Sequence, residues 1–233
     1  MIVCPVCQLT NDDFAVKCVS CGSFVQDRVP NIDLFAGIWL IIESPTQAFK
    51  KIIIAEHKNF VLFLSLFLGI GSVFALMWVH ASGNSFDNLF SLLLFGLFIG
   101  CVVGIPLFYL VSGLYHGLAK LAGGKASWKD TYGVIGWSLV PLMLSVVFVL
   151  PLELGTLGLL FFSKNPSAYE VKPVVTIVLA GLDGLMVIWS ILLASVGISM
   201  AHRFHFAKGM IITLIVSSAD SFLSYLIYSS FNI

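Results

Sequence analysis

The sequence predicts an all-α polytopic membrane protein, a bundle of five transmembrane helices with a small N-terminal zinc-knuckle domain and an interfacial helix. Of the 233 residues, 59% are hydrophobic and 10% are charged, whereas soluble domains carry roughly 25% charged residues. Five apolar stretches follow residue 60, and two Cys-x-x-Cys pairs precede them. Lys plus Arg and Asp plus Glu both number 12, so no excess of positive charge indicates a nucleic-acid partner.

Composition divides the chain into three parts. Residues 1–28 form a polar, cysteine-bearing head, residues 29–59 a linker and an amphipathic helix, and residues 60–233 the membrane body. The opening MIVCPVCQLT lacks the basic start and apolar core of a secretory signal. We therefore expect the N-terminus to lie in the cytosol.

The two cysteine pairs form a metal-binding pattern. Two thiolates three positions apart on a tight turn can hold half of a tetrahedral ion, and a second such turn follows after ten residues. Four thiolates leave no open position for water, which predicts a structural Zn²⁺ that supplies folding free energy to a head too small for its own core. We expect a positive φ at Gly22, directly after the last ligand. The predicted ligands are Cys4, Cys7, Cys18 and Cys21.

An iron or redox site and a pair of disulfides are the alternatives for these cysteines. Disulfides are disfavoured in a reducing cytosol, and no βαβ pattern surrounds either pair. The fifth cysteine, Cys101, falls within an apolar stretch, where we expect a small core residue.

Segment 44–60 is predicted to form a helix that lies at the membrane interface. Ser44 and Pro45 suit the N-cap and the first helical position, and apolar residues follow at helical spacing. The preceding run, residues 34–42, is apolar but too short to span a bilayer. Lysines interleave with the apolar positions, and we expect them to face anionic headgroups. These membrane-interface residues are Lys50, Lys51 and Lys58.

The five apolar stretches are each long enough to cross a hydrocarbon core, which takes roughly 20 helical residues. The predicted spans are 60–80, 89–115, 134–162, 174–200 and 209–230. Prolines inside the longer stretches predict kinks, because a neighbouring helix can satisfy the freed carbonyl. These prolines are Pro106, Pro141 and Pro151.

Glycines recur every fourth residue in the second span, at Gly96, Gly100 and Gly104. This spacing predicts a smooth helix face that another helix approaches closely. Packing within one bundle and a seam between two copies of the chain both remain open.

The distribution of Lys and Arg predicts the orientation. With the N-terminus inside, the inner connections carry ten basic residues and the outer ones only Lys164 and Lys172. Positive residues stay on the cytoplasmic side. We therefore expect a cytoplasmic N-terminus and an external C-terminus.

Two acids fall near the middle of predicted spans, Asp183 and Asp220. An ionised carboxylate there costs at least about 2.5 kcal/mol, so each acid should be neutral, partnered or facing water. A structural hydrogen bond and a proton or cation site are the two interpretations. Glu153 lies towards the end of the third stretch, where we expect it to reach the interface.

The histidines and the loops carry no enzyme signature. His116, His202 and His205 lie at the margins of the predicted inner loops, and their spacing does not require a metal site. No nucleophile elbow, phosphate-binding loop or dinucleotide fingerprint occurs. We therefore expect no enzymatic activity.

Two segments carry a family pattern. GGKASWKDTYGVIGWSLVPLML, residues 123–144, joins a Gly-Gly turn, a polar stretch and a proline within the following span. WSILLASVGISMAHRFHFAKGMIITLI, residues 189–215, connects the fourth and fifth spans. Both resemble the Yip family of five-pass membrane proteins, named for interaction with Ypt/Rab GTPases, and the resemblance extends from about residue 40 to the end of the chain.

The resemblance implies a cytosolic N-terminus and an external C-terminus. Eukaryotic relatives are linked to vesicle trafficking, membrane shaping and Rab binding. Here a metal knuckle replaces their long polar head, a combination that looks prokaryotic, so Rab binding is not among the expectations for this chain. The expected location is therefore a bacterial or archaeal cytoplasmic membrane.

Two functions follow from these features. The first is a membrane scaffold whose zinc head docks a cytosolic protein partner while the interfacial helix inserts into the bilayer. The second is a transporter or channel in which Asp183 and Asp220 line a path for protons, cations or lipid headgroups. The lipid bilayer is a partner in both, and a homo-oligomer is an open alternative.

Overall fold

The computed structural model describes the backbone of residues 1–231 and the side chains of residues 1–220. A two-stranded antiparallel hairpin opens the chain, with β1 at Ile2–Val3 and β2 at Thr10–Asn11. The helices that follow are α1 Leu34–Glu43, α2 Pro45–Ile54, α3 Val61–Val79, α4 Leu89–Leu121, α5 Trp128–Ser138, α6 Val140–Leu144, α7 Leu150–Leu157, α8 Ala168–Val171, α9 Pro173–His202 and α10 Phe206–Phe231.

Within the described residues, four helical stretches are long and apolar enough to cross a membrane. They are Val61–Val79, Leu89–Leu121, Trp128–Phe162 and Pro173–His202. Their positions confirm the first four predicted spans. The fifth prediction, 209–230, falls within α10, and its last ten residues lie outside the part whose side chains are described.

The third span is a composite of short helical segments, because two prolines interrupt it. Pro141 lies at the start of α6 and Pro151 at the start of α7. A π-helical segment, Ser145–Val149, joins these two helices, since Pro151 lacks the N–H that would continue the α-helical ladder. In contrast, α4 continues through Pro106 without interruption.

The glycine stripe of α4 packs inside the bundle, against α3. A Cβ on Gly100 would lie 2.5 Å from the Cα of Ile70, and one on Gly96 would overlap the Phe74 ring. Gly69 of α3 approaches the same face, where a side chain would overlap the backbone of Gly104. The two helices therefore meet backbone to backbone, as small residues allow in membrane bundles.

Helix α2 differs from the prediction of an interfacial helix. Its apolar face, Ala48, Phe49 and Ile52, is buried in the main core, where Phe49 packs against Gly197 of α9. Protein rather than lipid covers that face, so α2 is not available to insert into a bilayer.

Lys58 also lies elsewhere than predicted. Only 4% of its side chain is exposed, its Nζ lies 3.2 Å from a carboxylate oxygen of Asp130, and it donates to the carbonyl oxygens of Ile52 and Ile53. Burial lowers the pKa of Lys58, and the Asp130 carboxylate acts in the opposite direction. The Lys58 ammonium group is therefore paired with protein groups rather than with lipid headgroups, whereas Lys50 and Lys51 are exposed.

We expect Gly100→Ala to lower the thermal unfolding temperature of the purified protein in detergent by roughly 2–12 °C, because the added methyl group must displace the backbone at Ile70. Gly117→Ala is the matched control on the same helix, where nothing lies within 4 Å of the added carbon. That control should be neutral or slightly stabilising. Equal effects of the two substitutions would contradict the close packing of α3 on α4.

Candidate functional site

Residues that could bind a ligand or transfer a proton gather at three places in the described structure. One is the cysteine head, residues 1–28. The second is a cavity between the spans, which we call the acidic cavity. The third is a pair of histidines at one end of the bundle. The head packs against this end, which we call the head side.

The head brings its four cysteine sulfurs within 4.8 Å of one another. Sγ of Cys4 lies 3.6 Å from that of Cys21, and Sγ of Cys7 lies 3.5 Å from that of Cys18. A tetrahedral ion with Zn–S bonds of about 2.3 Å separates its sulfurs by about 3.8 Å. The four thiols are unbonded to one another, and their geometry fits a single tetrahedral metal ion.

Backbone and side-chain donors around Cys4 and Cys18 favour the thiolate form that binds metals. For Cys7, the lowering of the pKa by the Leu9 backbone N–H is outweighed by the neighbouring thiols and burial, which raise it. The backbone N–H of Cys7, followed by the Ser23 hydroxyl, lowers the pKa of Cys4 to about 6. The backbone N–H of Cys21 lowers the pKa of Cys18. Such i to i+3 contacts follow from the tight Cys-x-x-Cys turns, and Gly22 has the predicted positive φ of 73°.

A buried asparagine holds the second cysteine pair in place. Asn11 is 4% exposed, and its side-chain amide lies 3.5 Å from Sγ of Cys18 while its oxygen accepts from the Val19 N–H at 3.0 Å. Outer contacts of this kind orient metal ligands. The hairpin β1–β2 positions Asn11 because its second strand ends there.

Two ion pairs hold the head, one to the membrane body and one to the 29–59 segment. Arg203, directly after α9, binds Asp12 through both guanidinium nitrogens and lies over the Phe14 ring at 5.3 Å. Arg203 lowers the pKa of Asp12. At the end of the head, Arg28 donates to both carboxylate oxygens of Glu56 at 2.7 and 2.9 Å.

The acidic cavity brings Asp183 of α9 and Asp220 of α10 to one lining. Its volume is about 410 Å³. Among the lining residues that the structure describes, the other polar ones are hydroxyls and none is basic. The hydroxyl-bearing residues are Ser72, Tyr115, Ser138, Ser145, Ser190 and Ser217.

The hydroxyls around the cavity divide into satisfied and unsatisfied groups. Ser145 donates to Asp183, and Ser138 donates to the carbonyl oxygen of Ile135 at 2.7 Å. Ser190 is 8% exposed, and its Oγ has no partner among the described residues. A buried hydroxyl without a partner is costly, and this one borders the cavity, where a ligand or water can satisfy it.

Glu153 is buried beside Asp183, which corrects the prediction that it reaches the interface. Its side chain is 1% exposed, one carboxyl oxygen has no partner among the described residues, and the group interacts with Asp183. Pro151 lies in the first turn of α7, two residues before Glu153. The sequence signal was present, since an acid within an apolar span is a functional candidate by default.

A threonine joins two histidines at the head side. Thr131 Oγ1 lies 2.9 Å from Nδ1 of His116 and 2.9 Å from Nε2 of His202. His202 is 1% exposed, and its Nδ1 has no partner in the part described. Gly124 lies so close to that nitrogen that any side chain at this position would overlap it. Sequence spacing gave no indication of this pairing, since the three residues come from three helices.

The comparison with protein families places this geometry in a known group. The Yip1 domain family matches residues 39–227, which is most of the chain. The chain therefore belongs to the Yip1 domain family, which confirms the resemblance seen in the sequence. The match begins within α1 and leaves the four head cysteines outside it.

No curated protein and no solved structure matches the chain. The family assignment and the membrane-spanning helices support an integral membrane protein. The cysteine cluster and the acidic cavity define its candidate chemistry.

We expect the purified protein to carry about one metal ion and the Cys18→Ser variant to lose it, because the head then loses one of four ligands and the folding free energy that the ion supplies. Metal content measured by mass spectrometry should fall from about one ion per chain to near zero. Cys101→Ser is the matched control, since Cys101 is exposed on α4 rather than buried in the core as predicted. A metal-free wild type, or equal loss in both variants, would contradict the assignment.

Proposed function

We propose that this member of the Yip1 domain family binds a cation, either a proton or a small metal ion, in the acidic cavity and passes it through the helical bundle. The observation that supports this proposal is that Asp183 and Asp220, on different helices, line one cavity together with hydroxyls and no described basic side chain. Catalysis is not a known property of the family.

The argument is one of charge in a medium of low dielectric constant. Intramembrane acids normally pair with Lys or Arg, and an unpaired carboxylate is costly there. No described lining residue can compensate these two carboxylates, so each must either bind a proton and become neutral or bind a cation while it is ionised. Hydroxyl and carboxylate oxygens are the ligands that protons and hard cations use.

Polar groups extend from the cavity towards both ends of the bundle. Glu153 interacts with Asp183 and lies further along the third span, away from the start of that span at Trp128 on the head side. Towards the head side, Tyr115 lines the cavity and precedes His116, which belongs to the histidine pair. These groups give a cation or proton partners on either side of the two aspartates.

The proposal includes an orientation. The head side carries most of the basic residues and faces the cytoplasm of a bacterial or archaeal cell, whereas Lys164 and Lys172 lie on the external face. Thiolates stay reduced on that inner side, which suits a structural Zn²⁺ in the head.

The Asp183→Asn, Asp220→Asn double variant tests the proposal in proteoliposomes. Wild-type protein should dissipate an imposed proton or sodium gradient, and the double variant should do so at least roughly tenfold more slowly, because the cavity loses its negative groups. A pH-sensitive dye inside the vesicles measures the proton flux, and a sodium-sensitive dye measures the sodium flux.

Asp87→Asn is the matched control, since Asp87 is exposed in the connection before α4. Its flux should equal that of the wild type. Unchanged flux in the double variant, or wild-type flux no faster than that of empty vesicles, would exclude cation movement through this cavity.

A second candidate function is a membrane scaffold whose head docks a cytosolic protein. It is favoured by Val6 and Val19, one in each Cys-x-x-Cys turn, which are 69% and 81% exposed. Arg203 already binds Asp12 of the head, so a partner would use these two turns.

Full-length protein with Val6→Ser and Val19→Ser should lose a partner that the wild type retains in affinity capture, because the apolar contact area is removed. Val3→Ser is the control, since Val3 is 56% exposed but lies on β1. Metal content should stay unchanged in both variants. An identical set of captured proteins for all three chains would argue against docking through these turns.

A further inference from the structure

We propose that α1 lies within the lipid leaflet at the head side as a short membrane-embedded helix, with its exposed face against lipid acyl chains. This assignment is independent of cation binding. It moves membrane contact from α2, where the sequence predicted it, to the preceding helix.

The exposed face of α1 is apolar. Phe35 is 80% exposed, Trp39 66% and Ile42 46%, and the spacing of four and three residues places them on one side of the helix. No charged residue lies between Asp33, the N-cap, and Glu43, the last residue. Water would have to solvate a continuous apolar stripe, which is unfavourable on a soluble surface.

The opposite face of α1 lies on a membrane span. A Cβ on Gly37 would lie 2.5 Å from the indole ring of Trp137 in α5. Trp137 is seven residues beyond Asp130, whose ion pair with Lys58 marks the polar start of this span. At 1.5 Å per residue, α1 therefore contacts the bundle about 10 Å below that polar boundary.

The ends of α1 are suited to this depth. Ten residues extend only about 15 Å, half the thickness of a hydrocarbon core of about 30 Å. Acids at both ends keep the termini near the polar region, and the Trp39 indole N–H donates to Glu43 at 2.9 Å, so its polar edge is satisfied. Tryptophan commonly occupies this boundary.

Helix α2 exposes a polar face, which indicates the side of the helix pair that contacts water. It is connected to α1 through Ser44 alone, and it exposes Thr46, Gln47 and Lys50. The exposed face of α1 is therefore apolar and that of α2 polar, so the two helices face different media. Span α9, which exposes Ile177 and Leu185, indicates that lipid is the apolar medium around this protein.

Photo-crosslinking tests the contact directly. The photoreactive p-benzoylphenylalanine replaces Phe35, Trp39, Gln47 or Ile177, one at a time, in full-length protein reconstituted into vesicles of phosphatidylethanolamine and phosphatidylglycerol. After irradiation, intact-protein mass spectrometry detects a covalently attached phospholipid. Ile177 on α9 is the positive control and Gln47 on α2 the negative control.

We expect lipid adducts at positions 35 and 39 to match those at 177 and to exceed those at 47 by about tenfold. Crosslinked protein dimers at 35 and 39 would show that a second copy covers this face and would overturn the proposal. An absence of adducts at both positions, with adducts at 177, would show exposure to water and would also overturn it. Two positions on the helix guard against one variant failing to fold.

Discussion

The hydrocarbon interior of a bilayer offers no hydrogen bonds, and this constraint governs every polar group in the bundle. Several buried hydroxyls of the spans donate hydrogen bonds to carbonyl oxygens of their own helices, among them those of Ser65, Ser195 and Ser199. Groups that cannot be satisfied locally gather instead. Asp183 accepts from Ser145 and interacts with Glu153, so these three polar side chains of the spans form one cluster.

The cavity depends on an irregularity in the third span. Pro151 cannot donate a backbone hydrogen bond, and the ladder before it widens, so that the N–H of Leu150 bonds to the carbonyl of Ser145 five residues earlier. Ser145 and Val146 then line the cavity. Non-helical backbone at membrane depth is tolerated where it borders a cavity, so the proline that interrupts the helix also helps to form the site.

Features with a strong local signal could be predicted from the sequence. Hydropathy located the first span at 60–80 against an observed Val61–Val79, since apolar runs of this length have one outcome in a bilayer. The spacing of the cysteines likewise predicted the cluster of four sulfurs. The prediction that Lys58 faces anionic headgroups was wrong, because Lys58 pairs with Asp130, 72 positions further along the chain, and local sequence does not show such a contact. Local sequence also failed to predict the surroundings of α2, whose amphipathic pattern describes a helix on a protein core as well as one on a membrane.

Helix α9 connects the parts of this molecule that are chemically distinct. It carries Asp183 in its first half, His202 at its last position and, directly after it, Arg203, which binds the head. Arg203 adopts a left-handed φ of 62°, a conformation that costs a non-glycine residue energy and ends the helix at that point. From Asp183 to Arg203 the helix rises about 30 Å, and Gly197 and Ser199 pack closely against α2 and α10 along its second half. A helix fixed by packing at one half and by the head at its end has little freedom to rotate, so the position of Asp183 in the cavity depends on contacts made far from it.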